Sequence, residues 1–130
     1  MDPVRPKYDV ERLDCYQCAL ALVVQIDKVA GLYTERKNFP LADQIRRAVI
    51  SIPTNLAEGF GRSTSKEFAR FVSIARGSTY EVQTLLRIGS RLGYIQDHDH
   101  EELQRLLSNL LGKLTNFERY LRRNGAPYLK

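Results

Sequence analysis

The chain has 130 residues, 43% of them hydrophobic and 27% charged, with a formal net charge of +5 at neutral pH. That length suffices for one buried core without staples, and these fractions exclude a disordered, collagenous or disulfide-scaffolded chain. The positive excess permits a polyanionic partner without specifying one.

Met1 to Lys7 carries Pro3 and Pro6 and reads as a loose tail. It has no apolar h-region, so no signal peptide is expected, and no apolar run approaches the roughly 20 residues that span a bilayer. The expectation is a cytoplasmic protein with no membrane partner. Cys15 and Cys18 are a lone pair, three apart on one predicted helix face, and read as reduced thiols. No second Cys pair, Glu-x-x-His repeat or Gly-rich phosphate loop accompanies them, so no metal, cofactor or catalytic residue is expected.

In chain order, the first helix is expected at about 10–34, with Cys15, Ala19, Leu22, Ile26, Val29 and Tyr33 stepping by four and three. Leu20, Val23 and Ala30 widen that seam, so the helix can touch more than one neighbour. Pro40 is set to open the second helix, at about 40–60, whose stripe is Ile45, Ala48, Ile52 and Leu56. Pro53 deprives the Val49 carbonyl of its partner, so the reading is a kinked helix or, alternatively, two helices broken at Ile52. The third helix, about 65–92, is capped by Ser63 or Ser65 and carries the strongest periodicity: Phe68, Phe71, Ala75, Ser78, Val82, Leu85, Gly89 and Leu92. The fourth, about 97–123, starts with Asp97 as N-cap and runs on Leu103, Leu107, Leu110, Leu114, Phe117 and Leu121. Four amphipathic helices with short connections predict an all-α, antiparallel up-down-up-down four-helix bundle in one domain, 1–130.

The third helix has a second face. At about 100° per residue, with Arg76 at zero, its core positions fall between about 160° and 280°. Arg87, Arg91, Lys66 and Arg70 fall between about 20° and 120°, with Arg62 among them if the helix reaches it. Ala69, Ser73, Gly77, Tyr80, Thr84 and Ile88 share that arc, and no acid does. Solvated faces usually mix signs to gain i,i+4 pairs; a face of one sign repels itself and suits an anionic partner. Arg76, Arg87, Arg91, Lys66, Arg70, Arg62 and Arg47 are the candidates for phosphate contact. Arg46 or Arg47 is expected to be tied to Glu58 or Glu81. Gln44, Ser51, Asn55 and Glu58 on the second helix, with Ser78, Glu81 and Thr84 on the third, read as a paired polar network between the two.

Phe39-Pro40, Gln44, Arg47-Ala48, Ser51-Ile52-Pro53, Asn55, Ala57-Glu58-Gly59, Arg62, Phe68, Phe71, Ala75-Arg76-Gly77-Ser78 and Glu81 carry a resemblance. Over Asn38 to Leu92 the chain resembles the bacterial four-helix-bundle proteins encoded in intervening sequences of 23S ribosomal RNA genes. Relatives of that family include the accessory variability determinant proteins of diversity-generating retroelements. The resemblance implies a left-handed antiparallel bundle and a homopentameric barrel with a basic surface or channel. In the retroelement branch it implies binding of RNA or DNA beside a reverse transcriptase. The first and fourth helices match the family only in apolar pattern.

The function expected is therefore non-enzymatic: an oligomeric nucleic-acid-binding bundle assisting a protein partner. The rival is a structural homo-oligomer whose basic stripe pairs with Glu101, Glu102 or Glu118 of a neighbour. A remote third reading is a small helical ribonuclease using Arg91 and His98, whose spacing is like an Arg-x(4–6)-His signature, although the two straddle a predicted loop.

Overall fold

The structure, a computed structural model, describes residues 9–124. The expected tails at Met1 to Lys7 and Tyr128 to Lys130, and the Gly125-Ala126-Pro127 stop, lie outside the described residues.

Among the described residues, four α-helices follow a 3₁₀ turn at Val10–Arg12: α1 Asp14–Glu35, α2 Phe39–Phe60, α3 Ser65–Arg91 and α4 Asp97–Asn124. Among the described residues no strand forms. α1 starts later than its periodicity suggested. Asp9 caps the preceding turn by accepting from the Glu11 N–H, and the extended Leu13 separates the two helices. α2 begins on the Asn38 side chain, which accepts from Leu41 N–H, with Pro40 in its first turn. It runs through Pro53 without a break, so the two-helix alternative is wrong. Directly after Pro53, Thr54 and Asn55 donate side-chain hydrogen bonds to the Ile50 and Ser51 carbonyls, each at 2.8 Å. Such back-bonding eases a helix through a bend.

α3 is capped by Thr64, not by either flanking serine. The Thr64 hydroxyl accepts from Glu67 N–H at 3.1 Å, and Glu67 stands where a capping box wants an acid. α3 ends at Arg91, and Gly93 takes the positive φ of 79° that turns the chain into α4. Asp97 is already helical. The Gln96 carbonyl accepts from His100 N–H and so opens α4 in place of the expected Asp97 cap.

α1 packs on α2, α2 on α3 and α3 on α4; α1 closes the ring against α4 along the thinnest seam. At one end Arg36 donates to the Gly93 carbonyl and Asn38 to the Tyr94 hydroxyl, joining the first turn to the third. Further along, Asp14 of α1 pairs with Lys113 of α4. These links make the bundle antiparallel, up-down-up-down.

The core is built chiefly from the predicted seams. Ala19, Ile26, Tyr33, Ile45, Ile52, Leu56, Phe68, Leu107 and Leu114 are fully enclosed. Two glycines permit the closest approaches. At Gly59 a Cβ would stand 2.7 Å from both Phe68 Cδ1 and Phe71 Cβ, so α2 can end against the start of α3 only without a side chain there. At Gly89 a Cβ would run into the Tyr33 ring and hydroxyl. That hydroxyl crosses from α1 to donate to the Leu85 carbonyl at 2.8 Å, and burial pushes its pKa up. The Cys15 thiol is buried in the same core, and burial pushes it up to about 12, while Cys18 is half-buried. Both are free thiols, and among the described residues no group of three or more His, Cys, Asp or Glu could hold a metal.

α1 departs from expectation in composition. It is long and apolar enough to cross a membrane, with mean hydropathy 1.3 over its best 18 residues. Its inner stripe lies in the bundle core. The excess is on its outer side, where Leu20, Val24 and Leu32 are exposed.

Candidate nucleic-acid interface

α3 lies between α2 and α4, and the two contacts set which of its residues reach solvent. Its buried arc extends well beyond the predicted 160°–280°. Thr79, Val72 and Gln83, at about 300°, 320° and 340°, are buried against the α4 side. Ala69, predicted on the basic arc, is fully buried, whereas Leu92, predicted in the core, is 49% exposed. What is left free is a strip from about 20° to 160°, carrying Lys66, Arg70, Ile74, Gly77, Tyr80, Thr84, Arg87, Ile88 and Arg91, with one acid, Glu81, at about 140°, where Gln44 of α2 donates to it.

On this strip Lys66, Arg70, Arg87 and Arg91 are exposed, and no described carboxylate pairs with any of them. Arg62 lies ahead of α3, yet it joins the same end of the strip. Its guanidinium sits 4.8 Å from the centre of the Phe71 ring, and that of Arg70 lies 4.9 Å from the same ring. Such cation–π contacts orient both groups and leave their outer N–H donors free. Arg47 is exposed on α2.

Arg76 differs from the rest. It stands at the border with α4, and its Nη1 donates to Glu118 Oε1 at 2.7 Å. Arg122 Nε takes the other oxygen of the same carboxylate at 3.0 Å. Burial alone would push the Glu118 carboxyl up; the hydrogen bonds from Arg76 and Arg122 outweigh it and hold the group below its usual value. The Arg76 guanidinium is raised, mainly by its hydrogen bond to Glu118. The two groups thus stabilise each other's charged forms, and Arg76 is anchored rather than free.

The polar residues between α2 and α3 form the expected network with different membership. Ser51 and Ser78 share a hydrogen bond of 2.7 Å, Asn55 donates to Ser51, and Gln44 donates to Glu81. Neither Arg46 nor Arg47 joins it. Arg46 turns to α1 and bonds Asp27 at 3.0 Å, because its position on α2 faces the opposite neighbour.

Arg91 and His98 line separate hollows. Arg91 sits with Thr84, Arg87 and Ile88, while His98 faces Lys28, Leu32 and Glu102 across the α1–α4 seam. The structure therefore does not bring the ribonuclease-like pair together. Of the acids named as partners for the basic stripe between subunits, Glu118 is used inside the chain and Glu102 bonds Arg105 at 2.7 Å.

One basic group escaped the sequence reading. Arg119, Arg122 and Arg123 gather with Thr115 on the side of α4 that meets Arg76. The steps of four from Thr115 to Arg119, Glu118 to Arg122 and Arg119 to Arg123 were a usable signal of one shared face. It was masked because arginines in a last helical turn are ordinarily explained by the helix dipole.

A family model described as 23S rRNA-intervening sequence protein matches residues 11–116. The chain is also similar in structure to a protein with unknown function from the S23 ribosomal protein family of Bacteroides thetaiotaomicron VPI-5482. That crystal structure superposes with a TM-score of 0.76 at 22% identity, covering 81% of this chain and 98% of the other. At that identity the likeness bears on the fold alone. A comparison with curated proteins finds no match.

Proposed function

From the premise that the chain belongs to the 23S rRNA-intervening sequence protein family, we propose that it is a non-enzymatic, self-associating bundle that binds RNA or DNA through the free strip of α3. The observation that carries this reading is the unpaired state of Lys66, Arg70, Arg87 and Arg91. Four cations on one exposed strip, none of them paired with a described carboxylate and with Glu81 at the strip's edge as its one acid, suit a polyphosphate backbone. Tyr80, 54% exposed, and Ile88, 41% exposed, lie among them and suit contact with bases or sugars. The structural rival is the less favoured reading, because Glu118 and Glu102, two of the acids that would serve it, already pair within the chain.

Self-association is part of the proposal and is supported by a different surface. Leu20 and Val24 of α1 and Ile50 of α2 are exposed. Leu20 and Ile50 flank a hollow with Tyr16, Val23 and Pro53. An apolar face of this kind is commonly covered by protein, and the family resemblance suggests five copies. In this reading the assembly holds nucleic acid for another protein to act on, a reverse transcriptase in a retroelement setting.

Fluorescence anisotropy with labelled RNA and DNA tests the binding claim. Wild-type protein is expected to bind at low salt, and Arg87→Glu/Arg91→Glu to bind at least tenfold more weakly with its fold retained. Equal binding by the two proteins would refute the assignment to α3.

A further inference from the structure

We propose that the hollow between α3 and the last turns of α4 is a phosphate-binding site, distinct from the α3 strip. The inference deepens the nucleic-acid reading and rests on it only for the source of the phosphate.

The hollow is open, with a volume of about 390 Å³, and is lined by Arg76, Arg119, Arg122, Arg123, Thr115 and Glu118. Four arginines line a hollow that holds one carboxylate, and two of them bond it. Both Glu118 oxygens are committed, to Arg76 and to Arg122, at 2.7 and 3.0 Å. Each of those bonds uses one N–H, and a guanidinium has five. Glu118 therefore fixes two guanidiniums in place while leaving most of their donors unused. Among the described residues Arg76 Nε is enclosed without a hydrogen-bond partner, while Tyr80 lies beside the same guanidinium. Among the described residues Arg119 bonds only Asn116, at 3.5 Å, and none bonds Arg123.

Gathering like charges this closely opposes folding unless an anion offsets it, and one carboxylate offsets only part. A phosphate fits the remainder. Its oxygens can accept from several guanidinium forks at once, an arrangement that a lysine cluster would not provide. The Thr115 hydroxyl adds a neutral donor at the wall. Because Glu118 pre-orients Arg76 and Arg122, little side-chain freedom is left to lose on binding.

The phosphate can come from a nucleic-acid backbone or from a small phosphate compound. The test follows arginine Nε–Hε signals of the full-length protein by NMR during titration with inorganic phosphate. In parallel, anisotropy across a salt series follows a labelled RNA 12-mer on wild-type protein, Arg119→Ala/Arg123→Ala and Arg87→Ala/Arg91→Ala. The first double variant leaves both Glu118 pairs intact. Phosphate is expected to shift Arg119, Arg122 and Arg123 at concentrations that leave Arg87 and Arg91 unmoved. Arg119→Ala/Arg123→Ala is expected to lose that response and to lower the RNA salt slope by about two.

A phosphate response with an unchanged RNA slope identifies the source as a small phosphate compound. A phosphate response in a protein that binds no RNA supports the site and refutes the nucleic-acid reading. Uniform shifts across all arginines overturn the site while leaving RNA binding by α3 intact. A stronger response to oligoglutamate than to phosphate overturns it in favour of an acidic peptide.

Discussion

Two outer surfaces of the same bundle have opposite characters. The α1–α2 side exposes Leu20, Val24 and Ile50, while the free strip of α3 exposes Lys66, Arg70, Arg87 and Arg91. Both belong to amphipathic helices with well-buried inner faces, so neither is needed to make the core. The contrast shows that a helix can satisfy the bundle and still carry a second pattern on the side the bundle leaves free. An apolar free side is costly in water and favours a protein neighbour. A basic one repels itself and favours an anion.

The most severe way to break the comparison is to remove the frame that both surfaces share. Gly89→Ala drives a methyl into Tyr33 and displaces its hydrogen bond to Leu85. A destabilisation of about 3 kcal/mol is expected from such overpacking, measured by urea denaturation, with RNA binding and assembly lost together. If only one function were lost, the two surfaces would not depend on a common core.

Val24→Asp/Ile50→Asp sharpens the contrast by charging the apolar side alone. Both residues are more than half exposed, so the fold should hold while self-association weakens at least a hundredfold, on the order of 3 kcal/mol. Sedimentation velocity reads the mass. RNA affinity per monomer should survive, although any gain from multivalency is lost.

A smaller effect concerns the border between the basic strip and α4. The Glu118 carboxyl is held below its ordinary value in the folded chain. Its contribution to stability is therefore present above the unfolded value of 4.5 and is lost as pH falls through the folded one. Glu118→Gln should cost about 1–2 kcal/mol at neutral pH and flatten the loss of stability below pH 4.5 expected in thermal melts of the wild-type protein. An unchanged acid limb would mean that Glu118 does not anchor Arg76.

Gly77 gives the smallest change. It lies on the basic strip with open space where a Cβ would stand, so Gly77→Ala should raise stability by about 0.5–1 kcal/mol through helix propensity. If RNA binding fell while stability rose, a ligand would be approaching the bare backbone there.

The sequence made the bundle legible because every helix repeats its apolar residues at threes and fours from end to end. The seam residues Ile26, Ile45, Phe68 and Leu107 all lie where that period puts them. Choices among equals were harder to read. Thr64 caps α3 in preference to Ser63 or Ser65, and residue type does not rank neighbouring hydroxyls. Arg46 rather than Arg47 found a carboxylate, and it lies on α1. The site was legible only in part, because a helical wheel gives direction but not neighbours. α3 has two neighbours, which buried Ala69, Val72, Thr79 and Gln83 and brought Arg76 to Glu118. The cluster at Arg119, Arg122 and Arg123 needs Arg76 from α3 to become a hollow, and no pattern within α4 alone supplies it.

The most direct test of the central claim is the salt dependence of RNA binding by wild-type protein and by Arg70→Ala/Arg87→Ala/Arg91→Ala. The account predicts steep loss of wild-type affinity with salt and a slope smaller by about three in the variant, roughly one phosphate per arginine. Identical slopes, or no wild-type binding at low salt, would contradict it and leave the strip of α3 as a surface for something other than nucleic acid.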